Sequence, residues 1–484
     1  MTILLIIAIL FAPAAYAQFS NIIFQHEAQG HSDYHYLLPL GDQNNDGFDD
    51  IGVIKTGDRN SEPGVRIFFG RSSMHRNPDV VILADPDSVA QIYYGDTIGD
   101  LNGDGYIDWY LWLVRDLPVS ENVITFYAGG PYLNYEPLLT IRRFHPGKAG
   151  DFNGDGYDDF YISDGDENTL DIYFGGATLD TIPDWHYTPP AGFDGQDYPE
   201  GMGDLNGDGY SDIITDSFQL MNAAFFFGGA TPDTVPSLEW VNFEARLSEI
   251  VSDITGDGVD DLIVPYDGAL DVHPGGPDMS RIAANQLNPI YFPYSTTSFT
   301  TFNADGDFNG DGVGDLITSK YGNQRFEIFL GGRWMGSGPV QVVDVGYGST
   351  YRYCKSAGDV NNDGVDDIVI LKDDRYVIVY SGNPDIPTPS CEETMPITAS
   401  LALCAYPNPF NPQSTISLGL DKQSLVTVEL FDIAGRKVET LHSGMLTPGT
   451  KFFTVDGNGL ASGSYFVVAK TQKSQISKRI TLVR

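Results

Sequence analysis

A nine-residue, aspartate-rich segment occurs seven times in this chain, and its spacing constrains the fold more than any other feature. Successive copies start 58, 51, 53, 49, 54 and 52 residues apart. A repeat of about fifty residues is the size of one four-stranded blade of a β-propeller. The sequence therefore predicts an all-β fold, with a seven-bladed β-propeller over residues 18–384. The copies begin at Asp42, Asp100, Asp151, Asp204, Asp253, Asp307 and Asp359.

Each copy carries oxygen-bearing side chains at positions 1, 3, 5 and 9, a spacing that suits a calcium loop. Calcium binds about six to eight oxygens at roughly 2.3–2.6 Å, and position 7 can add its backbone carbonyl. Three aspartates crowded into nine residues repel one another unless a cation lies between them. We expect up to seven structural Ca²⁺ ions. The expected ligands are Asp42, Asn44, Asp46, Phe48, Asp50; Asp100, Asn102, Asp104, Tyr106, Asp108; Asp151, Asn153, Asp155, Tyr157, Asp159; Asp204, Asn206, Asp208, Tyr210, Asp212; Asp253, Thr255, Asp257, Val259, Asp261; Asp307, Asn309, Asp311, Val313, Asp315; and Asp359, Asn361, Asp363, Val365, Asp367.

The other loop positions support a tight turn. Position 6 is glycine in all seven copies, where a sharp turn favours a positive φ. Thr255 departs from the ligand pattern, so the fifth site is expected to be the weakest. The alternative is that the segments are only Asx-rich turns. A helical EF-hand does not fit, because position 12 holds Val, Leu, Ile or Thr instead of glutamate and an apolar strand follows.

A second motif recurs after each loop. A short apolar run such as 51–54 or 368–371 predicts a central strand, and the next strand ends on aromatic residues and glycines, as in 173–176 and 226–229. Together the two motifs resemble the FG-GAP repeat of integrin α-chain propellers and related bacterial proteins. In that family the calcium loop joins strands 1 and 2 of a blade, which implies a first strand near residues 34–40. The seventh blade then lacks an outer strand, and we expect residues 21–24 to supply it and close the ring.

The two ends of the chain differ from the repeats. Residues 1–17 are almost wholly apolar and end in a small-x-small pattern, which predicts a signal peptide with cleavage before Gln18. Residues 385–396 are a proline-containing linker. Residues 397–484 hold short alternating strands, which favours a small immunoglobulin-like β-sandwich.

The C-terminal module resembles the type A sorting domain of the type IX secretion system of Bacteroidota and allied phyla. The matching segments are 406–410, 431–436, 460–466 and the basic end 478–480. The resemblance implies passage through the outer membrane, contact with the secretion machinery and a secreted or cell-surface location. The alternative is an ordinary sandwich that serves as a stalk.

Charge separates the two parts of the chain. The net charge is −39, and residues 394–484 carry nine basic and five acidic side chains, or +4, which leaves −43 on residues 1–393. Even seven bound Ca²⁺ ions leave the propeller acidic. This argues against nucleic acid and anionic membranes as partners. Of the three cysteines, Cys354 is expected to be a buried strand residue, and a Cys391–Cys404 disulfide remains open.

The sequence shows no catalytic constellation, and two function classes remain. The first is a secreted, calcium-stabilised binding or adhesion module for a protein or glycan. The second is a carbohydrate-active enzyme similar to a polysaccharide lyase. The resemblance implies that partners bind the face opposite the calcium loops, where an aromatic, arginine-bearing rim suits such ligands. The expected rim residues are His31, Asp33, His35, Tyr93, Tyr94, Arg142, Arg143, His145, Tyr198, Tyr351, Arg352 and Tyr353.

Overall fold

The computed structural model contains β-strands as its regular elements over the part of the chain that it describes. Within this part, no helix is long and apolar enough to cross a membrane. The predicted signal peptide, Cys391 and most of the linker lie outside the described residues. Those are 21–28, 34–56, 63–84, 89–117, 119–131, 137–142, 145–164, 169–188, 203–217, 222–241, 243, 248–266, 269–277, 279, 283, 285–287, 300–320, 325–332, 335–336, 338–345, 351–386, 401–406, 410, 413–420, 422–433, 435–447, 449–471 and 475–482.

Seven antiparallel sheets follow one another along residues 21–386, and each is one blade. The N-terminal strand is β1 (Ile22–Glu27). Blades 1 to 3 contain β2 (Tyr34–Gly41), β3 (Asp50–Lys55), β4 (Gly64–Phe68), β5 (Val80–Leu83); β6 (Val89–Gly99), β7 (Asp108–Leu117), β8 (Val119–Tyr127), β9 (Pro137–Ile141); and β10 (Pro146–Gly150), β11 (Asp159–Asp164), β12 (Thr169–Tyr173), β13 (Trp185–Tyr187). Blades 4 and 5 contain β14 (Ile213–Ser217), β15 (Asn222–Phe226), β16 (Leu238–Val241); and β17 (Glu249–Val251), β18 (Asp261–Tyr266), β19 (Ala269–His273), β20 (Asn285–Leu287). Blades 6 and 7 contain β21 (Thr300–Gly306), β22 (Asp315–Lys320), β23 (Arg325–Phe329), β24 (Gln341–Asp344); and β25 (Tyr351–Gly358), β26 (Asp367–Lys372), β27 (Tyr376–Tyr380).

Blade 4 has three described strands, and only the bridge between Gly203 and Asp212 marks the place of its first strand. In every blade the aspartate-rich loop joins the first and second strands, or in blade 4 this bridge and β14, as the sequence predicted. The apolar runs after the loops are the second strands. Their side chains are almost completely buried, as in β3 and β26.

The seven sheets close into a ring. Each pair of neighbouring blades shares one cluster of buried apolar side chains, and a seventh cluster joins blade 7 to blade 1. An open stack of seven sheets has only six such interfaces. The seventh cluster therefore shows that the sheets form a closed propeller rather than a solenoid.

The N-terminal strand closes this ring, as the sequence predicted. β1 pairs antiparallel with β27 as the outer strand of blade 7, giving the order β1-β27-β26-β25. Phe24 on β1 is 4% exposed and its ring lies 5.3 Å from that of Phe68 in blade 1. His26 Nε2 lies 3.1 Å from the Tyr34 hydroxyl, also in blade 1. The first strand of the chain thus links the last blade to the first.

An ion pair also links blades that are not neighbours. Lys355 of β25 in blade 7 places its Nζ 2.7 Å from both carboxylate oxygens of Asp96, which lies on β6 of blade 2. Burial alone raises the pKa of Asp96, but Lys355 and Lys148 outweigh it and hold the pKa below its ordinary value. The innermost strands are therefore held together electrostatically as well as by packing.

The C-terminal strands form a separate two-sheet sandwich around their own core. One sheet has the order β28-β29-β32 and the other β31-β30-β33-β34. This arrangement agrees with the predicted immunoglobulin-like module. The strands are β28 (Leu401–Tyr406), β29 (Gln413–Leu420), β30 (Ser424–Asp432), β31 (Lys437–Leu446), β32 (Gly449–Asp456), β33 (Gly463–Lys470) and β34 (Gln475–Leu482).

We predict that Phe24→Ala lowers the free energy of unfolding of the propeller by about 3 kcal/mol, because it removes a buried ring from the closing interface. Ile22→Ala is the matched control on the same strand, since Ile22 is 47% exposed and its loss costs about 0.5 kcal/mol or less. Chemical denaturation of both variants measures the difference. Equal stability of the two variants would contradict the role of β1 as the closing strand.

Candidate functional site

The backbone of the seven loops follows the conformation expected from their glycines. Position 6 has a φ between 84° and 93° in every loop, and position 4 has a φ between 55° and 80°. These are left-handed values that glycine and asparagine adopt at low cost. The sharp turn predicted at position 6 is confirmed.

The aspartate at position 1 organises each loop. Its two carboxylate oxygens accept hydrogen bonds from the backbone amides of positions 5 and 6 in all seven loops, at 2.7–3.1 Å. The aspartate at position 5 accepts from the amide of position 7 at 2.9–3.3 Å. The carboxylates at these two positions are thereby held on the same short turn.

The aspartate at position 9 has a role that the sequence did not reveal. One of its oxygens accepts from the amide of loop position 2, as Asp159 Oδ2 does from Phe152 at 3.0 Å. The other accepts from the first glycine of the aromatic–glycine ending, as Asp159 Oδ1 does from Gly175 at 2.7 Å. This second bond occurs in all seven blades at 2.7–3.2 Å. The two repeated motifs are therefore joined through one buried carboxylate.

The glycine of the ending is required by this close approach. A Cβ atom on Gly175 would lie 2.3 Å from the backbone oxygen of Asp158, and one on Gly331 would lie 2.0 Å from that of Gly314. A backbone oxygen cannot move aside as a flexible side chain can. The glycine recurs because the third strand must reach the loop of its own blade.

Hydrogen bonds also connect each loop to the next around the ring. At five of the seven loops the amide of position 8 donates to the carbonyl of position 1 in the preceding blade, as Asp158 does to Asp100 at 3.1 Å and Ser211 does to Asp151 at 3.0 Å. The same contact closes the ring, where Asp49 of blade 1 donates to Asp359 of blade 7 at 3.2 Å. At the other two junctions, Gln43 Nε2 donates to the Ile107 carbonyl and the Asp204 amide donates to Asp260 Oδ2. The loops are thus linked to each other as well as to their own blades.

Gln43 replaces an apolar residue at loop position 2 and bridges blades 1 and 2. Its Nε2 donates to the carbonyls of Leu40 and Ile107, while its Oε1 accepts from the amide of Gly130 at 2.6 Å. The side chain is completely buried. Its Nε2 and Oε1 atoms both have hydrogen-bond partners, so the burial of this amide leaves no polar atom unpaired.

The side chains of the loops fit a hard cation by their chemistry. Each loop offers three carboxylates and an amide or hydroxyl, and the Oδ1 atoms of Asn44 and Asn206 at position 3 are buried without a hydrogen-bond partner. Such orphaned oxygens are unusual in a folded protein and favour a missing ligand. In the fifth loop the Thr255 hydroxyl instead donates to Asp261 Oδ1 at 3.3 Å.

The position 9 carboxylates also carry the electrostatic signature of an acidic cluster. Burial raises the pKa of these carboxylates most, the neighbouring aspartates raise it further, and hydrogen bonds from backbone amides lower it. The resulting pKa is about 7 for Asp50, Asp108, Asp159, Asp212 and Asp261, and about 8 for Asp315 and Asp367. A cation would reverse this by favouring the ionised form. Among the described residues, no three acidic, histidine or cysteine side chains stand close enough to enclose an ion as they are. Calcium binding by the loops therefore stays a prediction.

Several of the expected rim residues lie together on the opposite face. His35 is the second residue of β2, Tyr93 is the fifth of the eleven residues of β6, and Arg142 and His145 lie on the connection from blade 2 to blade 3. Tyr94 is half-buried, and its hydroxyl donates to Asp96 Oδ2 at 3.1 Å. His31, Asp33, Arg143 and Tyr198 lie outside the described residues, as do the side chains of Tyr351, Arg352 and Tyr353 on β25. Cys354 on the same strand is a free, buried cysteine, as expected.

We predict that Asp159→Ala destabilises the protein by about 2 kcal/mol even in chelator, where no metal contributes, because it leaves buried amides without an acceptor. Asp155→Ala in the same loop is the matched control, since Asp155 is exposed and its loss in chelator costs about 0.5 kcal/mol or less. Thermal unfolding of both variants in EDTA separates the backbone role from metal binding. An Asp159 variant as stable as the control would refute the link between the two motifs.

Comparison with known proteins identifies the C-terminal module. Residues 404–483 match the secretion system C-terminal sorting domain, which confirms that prediction. No curated protein matches the chain. Similar solved structures include BBS1N in complex with ARL6DN, at 10% identity over 76% of this chain and 98% of that one, with a TM-score of 0.44. The Cps50 (Swd1) β-propeller domain of Myceliophteria thermophila is 10% identical over 74% of this chain and 99% of that one, with a TM-score of 0.42.

A third similar structure is PorZ, described as an essential bacterial surface component of the type-IX secretion system of Porphyromonas gingivalis. It is 12% identical over 96% of this chain and 52% of that one, with a TM-score of 0.30. The propeller fold rests on the strand pairing within this chain rather than on these distant likenesses. With its sorting domain, the chain is a β-propeller protein exported through a type IX secretion system to the outer cell surface.

Proposed function

We propose that this exported protein is a calcium-stabilised binding module whose ligand, a glycan or a protein, contacts the face opposite the loops. The observation that carries the proposal is the difference between the two faces of the ring. On one face the loop backbone is taken up by hydrogen bonds within and between blades. On the other face the innermost strands of blades 7, 1 and 2 carry, in their first halves, residues that are displaced from regular pairing.

Calcium would stabilise the loop face in this proposal. Positions 1, 5 and 9 of each loop would supply carboxylates, position 3 an amide or hydroxyl, and position 7 a backbone carbonyl. When bound, the ion supplies positive charge that offsets three carboxylates per loop. The loops connect neighbouring blades, so an ion that stiffens one loop also stabilises the interface next to it.

We predict that chelation lowers the melting temperature of the intact mature protein, with a loss of several kcal/mol of stability by ligand linkage. Calorimetry in excess calcium and in EDTA measures this, and magnesium in place of calcium is the control. The fifth loop should contribute least, because threonine replaces asparagine at position 3. Equal melting temperatures in calcium and in EDTA would remove the calcium part of the proposal.

The binding role is favoured over an enzymatic one by the surroundings of the rim residues. The described rim side chains engage each other or neighbouring groups, as Arg142 does with Glu121 at 3.2 Å. A polysaccharide lyase or hydrolase needs an acid and a base that face one bound sugar with matched geometry. No two of the described rim side chains form such an acid–base pair.

We predict that the intact mature protein binds polysaccharide or a protein ligand and releases no product from it. The measurement combines binding to immobilised polysaccharides with an assay for new reducing ends and unsaturated sugars on the same samples. Arg142→Ala and His145→Ala should weaken binding. Product formed by the wild type and lost in these variants would instead support the carbohydrate-active enzyme.

A further inference from the structure

We propose that the exposed ring of Tyr93, together with Trp112 and His145, forms a sugar-binding platform on the rim of blades 2 and 3. The inference rests on the proposed binding function and names the ligand class as a carbohydrate whose sugar ring stacks on Tyr93. Sugar rings present a face of C–H groups that packs against the electron-rich face of an aromatic ring. The evidence lies in how the fold places this tyrosine.

A β-bulge displaces Tyr93 from the regular pairing of blade 2. Ile92 pairs with Leu113 and Tyr94 with Trp112, so Tyr93 has no partner on β7. Bulges re-aim a side chain and are frequent at barrel rims and beside active sites. Tyr93 is 46% exposed as a result. It lies seven residues before Asp100, which places it roughly 20 Å from the loop face at about 3.3 Å per residue.

The same position is bulged in the two preceding blades around the ring. His35 falls between the paired residues Tyr34 and Tyr36, and Arg352 falls between Tyr351 and Tyr353. Both lie seven residues before the first aspartate of their loop, as Tyr93 does. In blade 6 the pairing from Thr300 to Asn303 is regular. Among the blades whose equivalent position the structure describes, the displaced residues lie in the adjacent blades 7, 1 and 2.

Aromatic neighbours hold the Tyr93 ring in place. Its centroid lies 5.7 Å from that of Trp112, and Trp112 in turn contacts His145 in an edge-to-face arrangement at 5.0 Å. His145 has a φ of 53°, a left-handed value that costs a non-glycine residue free energy. Such strain is found where the surrounding structure enforces a particular side-chain position. The platform is thus built before any ligand arrives.

A polar pair involves the chain segment that leads to His145. Arg142 precedes His145 by three residues, its side chain is 78% exposed, and its Nε lies 3.2 Å from Glu121. Guanidinium and carboxylate groups are suited to the paired hydroxyls of a sugar because both are planar and present several donors or acceptors. The aromatic ring and this pair supply the stacking surface and the hydrogen bonds that a sugar subsite needs.

Among the described side chains, Tyr93 is the one large apolar group exposed on this rim, which favours a sugar over a protein ligand. The other exposed large apolar side chains of the described propeller lie on outer strands or loops, such as Val81 and Leu83 on β5 and Ile182 after β12. A protein interface buries about 800 Å² per partner around a central apolar group of residues. One exposed ring beside an ion pair matches a sugar subsite better than such a surface.

The test is affinity electrophoresis of the intact mature protein in calcium-containing gels. Separate gels contain a neutral β-glucan, xylan, polygalacturonate or chondroitin sulfate. We expect retardation of the wild type by at least one polysaccharide and about tenfold weaker binding by Tyr93→Ala. Tyr93→Phe, which keeps the ring, should bind within about threefold of the wild type. Val81→Ala, which alters an exposed side chain far from the platform, should bind as the wild type does.

The variants also separate this inference from the proposed function. If the wild type is retarded and Tyr93→Ala is retarded equally, the platform is refuted while a binding module remains. Retardation of the wild type by none of the four polysaccharides overturns the sugar assignment. Because Tyr93 is exposed, its variants should melt at the wild-type temperature. The sugar-binding platform would also be overturned if Tyr93→Ala melted at a lower temperature and Tyr93→Phe bound as weakly as Tyr93→Ala.

Discussion

The propeller depends on the hydrogen bonds that the buried carboxylate at position 9 of each loop accepts. This carboxylate accepts hydrogen bonds from its own loop and from the end of the third strand of the blade, so it sets the position of both. Burial makes its ionised form costly, and a cation in the loop would offset that cost. Metal binding, as we propose it, would therefore be coupled to blade geometry through the same side chain, which joins the two repeated motifs.

From this coupling follows a division between the two faces of the ring. The loop face serves stability, because its carboxylates and amides are engaged within the blades or with the neighbouring blade. The opposite face is free to vary, because the starts of the innermost strands do not take part in those bonds. The bulges at His35, Tyr93 and Arg352 occur there. Under our proposal, the propeller would carry structural ions on one face and a ligand site on the other.

The repeat made much of the fold predictable from the sequence. The seven copies, at a period of about fifty residues, predicted seven blades, and the glycine at position 6 predicted the sharp turn. The segment 21–24, which belongs to no other blade in the sequence, predicted the closing strand. Other features depend on contacts between distant residues and have no local signal. The bond from Asp159 to Gly175, the link from Asp158 to Asp100 and the bulge at Tyr93 belong to this class. A recurrent glycine where the third strand of a blade ends was the one trace of these features in the sequence.

The most direct test of the central claim is the number of calcium ions bound to one intact mature chain, counted by native mass spectrometry during a calcium titration. We predict that the count rises to six or seven, with the fifth loop filling last or staying empty, and that Asp155→Ala lowers it by one. A count that stays at zero or one in excess calcium would contradict the claim. The loops would then be hydrogen-bonded turns that hold the propeller together without metal.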